Sequence, residues 1–142
     1  MIALANAQII IAEALSRARE AAMPPMTVAV LDAGGYLIAF SREDRSSLLR
    51  EKIARAKAQG SLAMGVGSRA LVKRAETHPH FFNSLVGLAN GDIVPVPGGV
   101  LVRDADGDII GAVGVSGAAP DGDEEIAIVG ISAAGLVADP GE

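Results

Sequence analysis

A lysine at the margin of an apolar helical stripe is the first residue whose position suggests chemistry. Lys57 lies four residues after Ile53 and three before Gly60, in a segment whose small and apolar residues recur at helical spacing. An ammonium group there loses hydration unless something compensates its charge. Two interpretations stay open: its stem covers apolar surface while its charge reaches water, or the ammonium holds the carboxylate of a ligand.

Two histidines, His78 and His80, lie together in the segment THPHFF. Imidazole titrates near neutral pH, so His78 is a candidate general acid or base, although an ordinary loop position explains both residues equally simply. His78 and His80 are also the candidate metal ligands. Because the chain contains no cysteine, a metal site would need a carboxylate from elsewhere in the sequence.

Further polar groups fall at strand ends and in glycine-rich turns, where a rigid scaffold often carries functional residues. Arg42 follows a strand and is placed to bind a ligand carboxylate or to pair with Asp44. Ser116, in the stretch GVSGA, does not match the G-x-S-x-G nucleophile pattern, so it is a candidate ligand donor instead. The backbone groups of Gly98 and Gly99 complete the candidate ligand-binding set, and Glu124 is the second candidate catalytic residue.

The glycine-rich stretch before the last helix, residues 111–119, looks at first like a phosphate-binding turn. A helix N-terminus does attract anions. Four acidic residues nevertheless occupy the first helical turn, and they would repel a phosphate while complementing the helix dipole themselves: Asp121, Asp123, Glu124 and Glu125. The glycines are therefore expected to permit close packing.

Composition narrows the classes of partner. The chain has 142 residues, half of them hydrophobic, with a formal net charge of −5, which fits a single domain over residues 1–142. Without a basic cluster, nucleic acid has no electrostatic reason to bind. Glu13 interrupts the most apolar N-terminal stretch, so neither a signal peptide nor a membrane span is expected. We expect a cytoplasmic protein.

The order of predicted elements indicates an antiparallel sheet. Helices are expected at 2–22, 46–64, 68–75 and 121–136, with Ser46 or Ser47 capping the second. Strands are expected at 27–32, 36–41, 99–103 and 109–115, joined in pairs by Gly-Gly and Asp-Gly turns. Residues 76–92 are interpreted as loop with one helical turn, and the tail 138–142 as frayed. Because strands and helices do not alternate regularly, an α/β (α+β) fold with helices flanking an antiparallel sheet is predicted.

Four segments together resemble the GlcG/HbpS-like family, which is haem-binding-protein-like and related to the C-terminal domain of PduO-type cobalamin adenosyltransferases. They are VAVLDAGGYLIAFSRED (28–44), AKA (56–58), PVPGGVLVRD (95–104), and GAVGVSG with the following DEE (111–125). The resemblance implies a profilin-like architecture that assembles into homo-oligomers. It also implies two possible settings, since some members bind haem or iron and others are encoded in catabolic gene clusters.

Two functions follow from these observations. In the first, the protein binds a small ligand, haem or a related cofactor, in a pocket bounded by residues 94–99 and the His-Pro-His loop. The first helix contains no histidine, unlike some haem-binding members, so His78 or His80 would have to serve. In the second, the protein is a catabolic isomerase, hydratase or lyase, in which Lys57 and Arg42 hold a small carboxylate while His78 or Glu124 moves a proton. A homo-oligomer is expected because the last helix is apolar almost all round.

Overall fold

The computed structural model describes residues 1–142 as five helices and five strands. The helices are α1 (Leu4–Glu20), α2 (Leu49–Met64), α3 (Ser68–Thr77), α4 (Pro79–Leu88) and α5 (Pro120–Ala133). The strands are β1 (Thr27–Asp32), β2 (Leu37–Arg42), β3 (Gly99–Arg103), β4 (Ile109–Ser116) and β5 (Val137–Asp139). None of the five helices combines the length and the apolar character that crossing a membrane requires.

The strands form one sheet in the order β2-β1-β4-β3-β5, and every neighbouring pair is antiparallel. The predicted antiparallel α+β fold and both predicted strand pairs, β1 with β2 and β3 with β4, are therefore confirmed. The long-range pairing of β1 with β4 joins these two hairpins at the centre of the sheet.

The sheet lies between two helical layers. Alternate residues of each strand point to opposite faces, so Val28, Val113 and Val100 face the core that α1 and α5 cover. Leu31, Leu101 and Ala112 face α2 on the other side. A small third cluster, centred on Leu71, Phe82 and Ile93, holds α3 and α4 together beside α2.

Close approach of α2 to the sheet requires glycine in the strands. A Cβ atom at Gly114 would overlap the backbone carbonyl of Ala54, and one at Gly99 would overlap the backbone carbonyl of Lys57. Both residues lie on the face of the sheet that α2 covers. The expectation that glycines in 111–117 serve close packing is thus met at Gly114.

Three local predictions were wrong. Residues 79–88 form helix α4, because Pro79 suits a first helical turn, where no N–H donor is needed, and Phe82 is buried against the third cluster. The last helix ends at Ala133, since Gly135 adopts φ +76 after it, and the expected frayed tail instead begins as β5 on the edge of the sheet. Helix α2 begins at Leu49 with no side-chain cap, because the hydroxyl of Ser46 bonds that of Thr27.

Candidate functional site

The acidic start of α5 is paired with cations from three other helices. Each of its four carboxylates has an arginine or lysine partner: Asp121 with Arg69, Asp123 with Lys57, Glu124 with Arg69, and Glu125 with Arg17. These pairs tie α1, α2 and α3 to the start of α5. The start of α5 is therefore a junction of ion pairs.

Lys57 and Asp123 form a buried ion pair at this junction. The Nζ atom of Lys57 donates to Oδ2 of Asp123 at 2.9 Å and to the carbonyl oxygen of Val115 at 3.0 Å. The two side chains are 3% and 1% exposed. Oδ1 of Asp123 accepts the N–H of Ala118 at 2.8 Å. Burial raises the pKa of Asp123 above its ordinary value, while the positive charge of Lys57 opposes that effect.

The structure thus provides a protein carboxylate for Lys57. Its ammonium does not reach water, so the interpretation in which its charge extends to solvent does not describe this residue. That Lys57 also binds a ligand stays a prediction.

Gly98 and Gly99 lie against Lys57. Gly98 has φ +119, and a Cβ atom there would come within 2.8 Å of Nζ of Lys57. The N–H of Gly99 and the carbonyl group of Gly98 already form hydrogen bonds within the protein. The N–H of Gly99 donates to Ser68 at 2.7 Å, and the carbonyl oxygen of Gly98 accepts from Val115 at 2.9 Å.

Ser116 and Arg42 occupy different surroundings. Oγ of Ser116, fully buried at the end of β4, accepts a hydrogen bond from Arg50 at 3.1 Å. Arg42 lines a surface depression of about 390 Å³ with Arg19, Pro25, Glu43 and Asp44. Its guanidinium donates to the carbonyl oxygen of Ser46 at 3.4 Å and forms no ion pair with Asp44.

A groove along α3 contains the exposed imidazole of His78. We call it the α3 groove, and its volume is about 530 Å³. Its lining comprises Arg69, Ala70, Lys73, Arg74, Thr77, His78, Gly141 and Glu142. His80 is exposed on α4 outside this lining. The chain has no group of three or more histidine, cysteine, aspartate or glutamate side chains able to hold a metal ion, so His78 and His80 do not belong to such a group.

Arg69 connects the α3 groove to Glu124. Its Nε atom lies 2.9 Å from Oε2 of Glu124, and its Nη2 atom lies 2.6 Å from Asp121. The hydrogen bonds that Arg69 donates to Glu124 and, to a smaller extent, to Asp121 raise the pKa of its guanidinium, which stays charged. Of the predicted residues, the structure therefore groups Lys57 with Gly98 and Gly99 and relates His78 to Glu124 through Arg69, whereas Arg42 lies apart from both groups.

The cations of the α3 groove were not predicted from the sequence. Lys73 lies four residues after Arg69, and His78 lies four residues after Arg74, so two adjacent rows of one helix carry them. This spacing was the signal that the sequence offered for the cations. It could be interpreted only with the knowledge that this face of α3 borders an open groove.

Comparison with known proteins identifies the family. The family described as haem-degrading protein HbpS-like matches residues 2–132. The crystal structure of a PduOC–haem complex is 25% identical, covers 95% of this chain and 96% of that chain, and superimposes with a TM-score of 0.85.

Two further structures show the same fold. Klebsiella pneumoniae protein ORFY is 24% identical over 94% of this chain and 90% of its own, with a TM-score of 0.85. HbpS is 24% identical over 92% of this chain and 88% of its own, with a TM-score of 0.79. No curated protein sequence matches the chain significantly. Since the family match spans nearly the whole chain and agrees with the resemblance of the four sequence segments, the chain belongs to the HbpS-like family.

Proposed function

We propose that the protein binds haem, or a closely related tetrapyrrole, in the α3 groove. One observation carries the proposal: an exposed imidazole, that of His78, shares a groove with Lys73 and Arg74, two exposed cations without a carboxylate partner. The family description and the haem complex of PduOC support the choice of ligand.

The chemistry of the donor set fits this ligand. Haem iron is commonly held by a histidine, and His78 supplies the imidazole. Haem also carries two propionate groups, which arginine and lysine bind through charge-assisted hydrogen bonds. The volume of the groove, about 530 Å³, falls within the range of roughly 300–1,000 Å³ that is usual for small-ligand sites. When bound, haem would supply an iron centre open to ligand exchange or redox chemistry, and this chain would hold and orient it.

A second groove is less suited to holding haem iron. Residues of α1 and β2, including Leu4, Ile11 and Phe40, line a mostly apolar groove of about 550 Å³. Gln8 is the side chain of α1 that brings polar atoms to it, and an amide is a poor iron ligand beside imidazole. The first helix contains no histidine, and the α3 groove is the one of the two that a histidine lines.

Titration with haemin tests the proposal. We expect the wild-type protein to give a sharp Soret band, and the His78→Ala variant to lose it. The matched control is His80→Ala, which removes the neighbouring exposed imidazole from outside the groove. A wild type without the band, or a band that persists in His78→Ala, contradicts binding by this residue.

The enzyme alternative is favoured by one observation: Arg69 contacts Glu124 and also lines the groove of His78. In that function Lys73 and Arg74 would hold a small carboxylate, and His78 would remove a proton beside its carbonyl group. Incubation with small oxo- and hydroxycarboxylates in deuterated water tests it. Deuterium incorporation that is lost in His78→Ala supports an isomerase or lyase, and no incorporation with any of them argues against it.

A further inference from the structure

We infer that the α3 groove selects a ligand carrying two separate carboxylates, and that Lys73 and Arg74, rather than Arg69, bind them. This inference rests on the proposed function and defines which feature of the ligand the groove recognises. It follows from how the three cations of the groove are partnered.

Arg69 is committed to the protein. Its Nε atom lies 3.2 and 2.9 Å from the two carboxylate oxygens of Glu124, and its Nη2 atom lies 2.6 Å from Asp121. These two carboxylates compensate its single positive charge and hold it against the first turn of α5. A ligand carboxylate would have to displace them, so Arg69 forms a wall of the groove and positions α3.

Lys73 and Arg74 are available. Both side chains are exposed, and neither forms an ion pair or a side-chain hydrogen bond. The carboxylate of Glu142 also lines the groove but pairs with neither cation. Two positive charges therefore face the groove without an ion-pair partner.

The positions of these two residues favour two negative groups over one. Consecutive residues of a helix project about 100° apart around its axis, so their side chains diverge. Arg74 shares a helical row with His78, and Lys73 shares one with Thr77. Two carboxylates, one bound at each row, match a planar ligand with two acidic side arms better than a single phosphate or monocarboxylate does.

Esterification of the ligand tests the inference, because haemin dimethyl ester keeps the iron and the ring but loses both negative charges. The wild-type protein should bind haemin at least tenfold more tightly than the ester, as measured by Soret titration with both porphyrins kept monomeric. The Lys73→Met, Arg74→Met double variant should lose that preference by binding haemin at least tenfold more weakly while binding the ester as the wild type does.

A charge-matched control separates the groove from the general field of the protein. Lys52 and Arg55 are exposed cations of α2 outside the groove, and the Lys52→Met, Arg55→Met double variant should bind haemin within twofold of the wild type. Equal binding of haemin and ester by the wild type, or an equal loss for both in the groove variant, overturns this inference but leaves haem binding standing. If the protein neither sharpens nor shifts the Soret band of either porphyrin, the proposed function and this inference both fail.

Discussion

At the scale of single residues, the pairing of Lys57 with Asp123 changes what a substitution should do. A lysine that only touches ligand would tolerate methionine, and the sequence alone suggested that Lys57→Met keeps the fold while weakening ligand binding tenfold or more, about 1.4 kcal/mol. In the structure the same change leaves a buried carboxylate with no cation. We therefore expect Lys57→Met to affect the stability of the protein more directly than its ligand binding.

We expect Lys57→Met to lower the free energy of unfolding by about 3–5 kcal/mol, the usual cost of breaking a buried ion pair by removing one partner. Urea denaturation measures this. Adding Asp123→Asn should recover a large part of the loss, because asparagine carries no charge and keeps an acceptor for the N–H of Ala118. Lys52→Met, on the exposed side of α2, is the control and should change little. If Lys57→Met is as stable as that control, the ion pair is not important for stability.

The same pair predicts a pH dependence. Because burial raises the folded-state pKa of Asp123 above its unfolded value, the native state holds this proton more tightly, and the associated stability is lost as pH rises through the folded pKa. Without Lys57 that pKa should rise further. The deficit of Lys57→Met relative to wild type should therefore be smaller at about pH 5 than at about pH 7. Paired urea titrations test this, and a deficit that grows on acidification would reverse the assigned sign. The Lys57→Met, Asp123→Asn double variant should lack this dependence.

At the scale of elements, the contact of α2 with the sheet depends on glycine where backbones meet. Gly114 lies against the backbone carbonyl of Ala54, and no side-chain rotation can relieve a clash with backbone. Helix α4, by contrast, is largely exposed. Phe82 is its single buried residue, while Phe81 and Leu88 are 58% and 82% exposed.

We expect Gly114→Ala to destabilise the protein by about 3 kcal/mol, because α2 must shift away from β4 to accommodate the methyl group. Gly87→Ala is the matched control in α4, where nothing lies within 4 Å of the added atom. It should stabilise the protein by about 0.5–1 kcal/mol, since alanine loses less backbone entropy in a helix. Thermal unfolding of the two variants compares them directly. Equal effects would show that the close approach of α2 is not maintained in solution.

At the scale of the whole molecule, the expected homo-oligomer needs a different structural reason from the one that the sequence suggested. The second face of α5 packs on α1, where Gly130 meets the backbone of Ile10, so α5 leaves no broad apolar surface uncovered. An uncovered apolar surface lies instead at the groove between α1 and β2. There β2 is also the edge strand of the sheet.

We predict that the protein is at least a dimer and that this groove takes part in the contact. Light scattering should give a multiple of 14.4 kDa for the wild type. The Leu4→Glu, Ala12→Glu double variant places two charges in the groove and should shift the mass toward the monomer. The control is Leu48→Glu, Leu49→Glu, at residues 85% and 60% exposed at the start of α2, which should leave the mass unchanged. A monomeric wild type contradicts the prediction.

The sequence by itself determined the types of all elements except α4 and β5, the two hairpins and the antiparallel class, because each depends on neighbours in the chain. Apolar runs rich in β-branched residues specify strands, and the turns at Gly34-Gly35 and Asp106-Gly107 close them locally. The acidic residues of the sequence at the start of α5 also argued against a phosphate site there. The motifs of residues 28–125 identified the family.

Tertiary structure decided the rest, because the remaining contacts join residues far apart in the chain and leave no local pattern. The pairing of β1 with β4 and the addition of β5 to the edge of the sheet are of this kind. Asp123 is the partner of Lys57 from 66 positions away, and Arg69 meets Glu124 from 55 positions away. The α3 groove exists only where the segment after β5 passes the start of α3. Whether a charged side chain is paired or free for a ligand therefore depended on the packing of α2, α3 and α5.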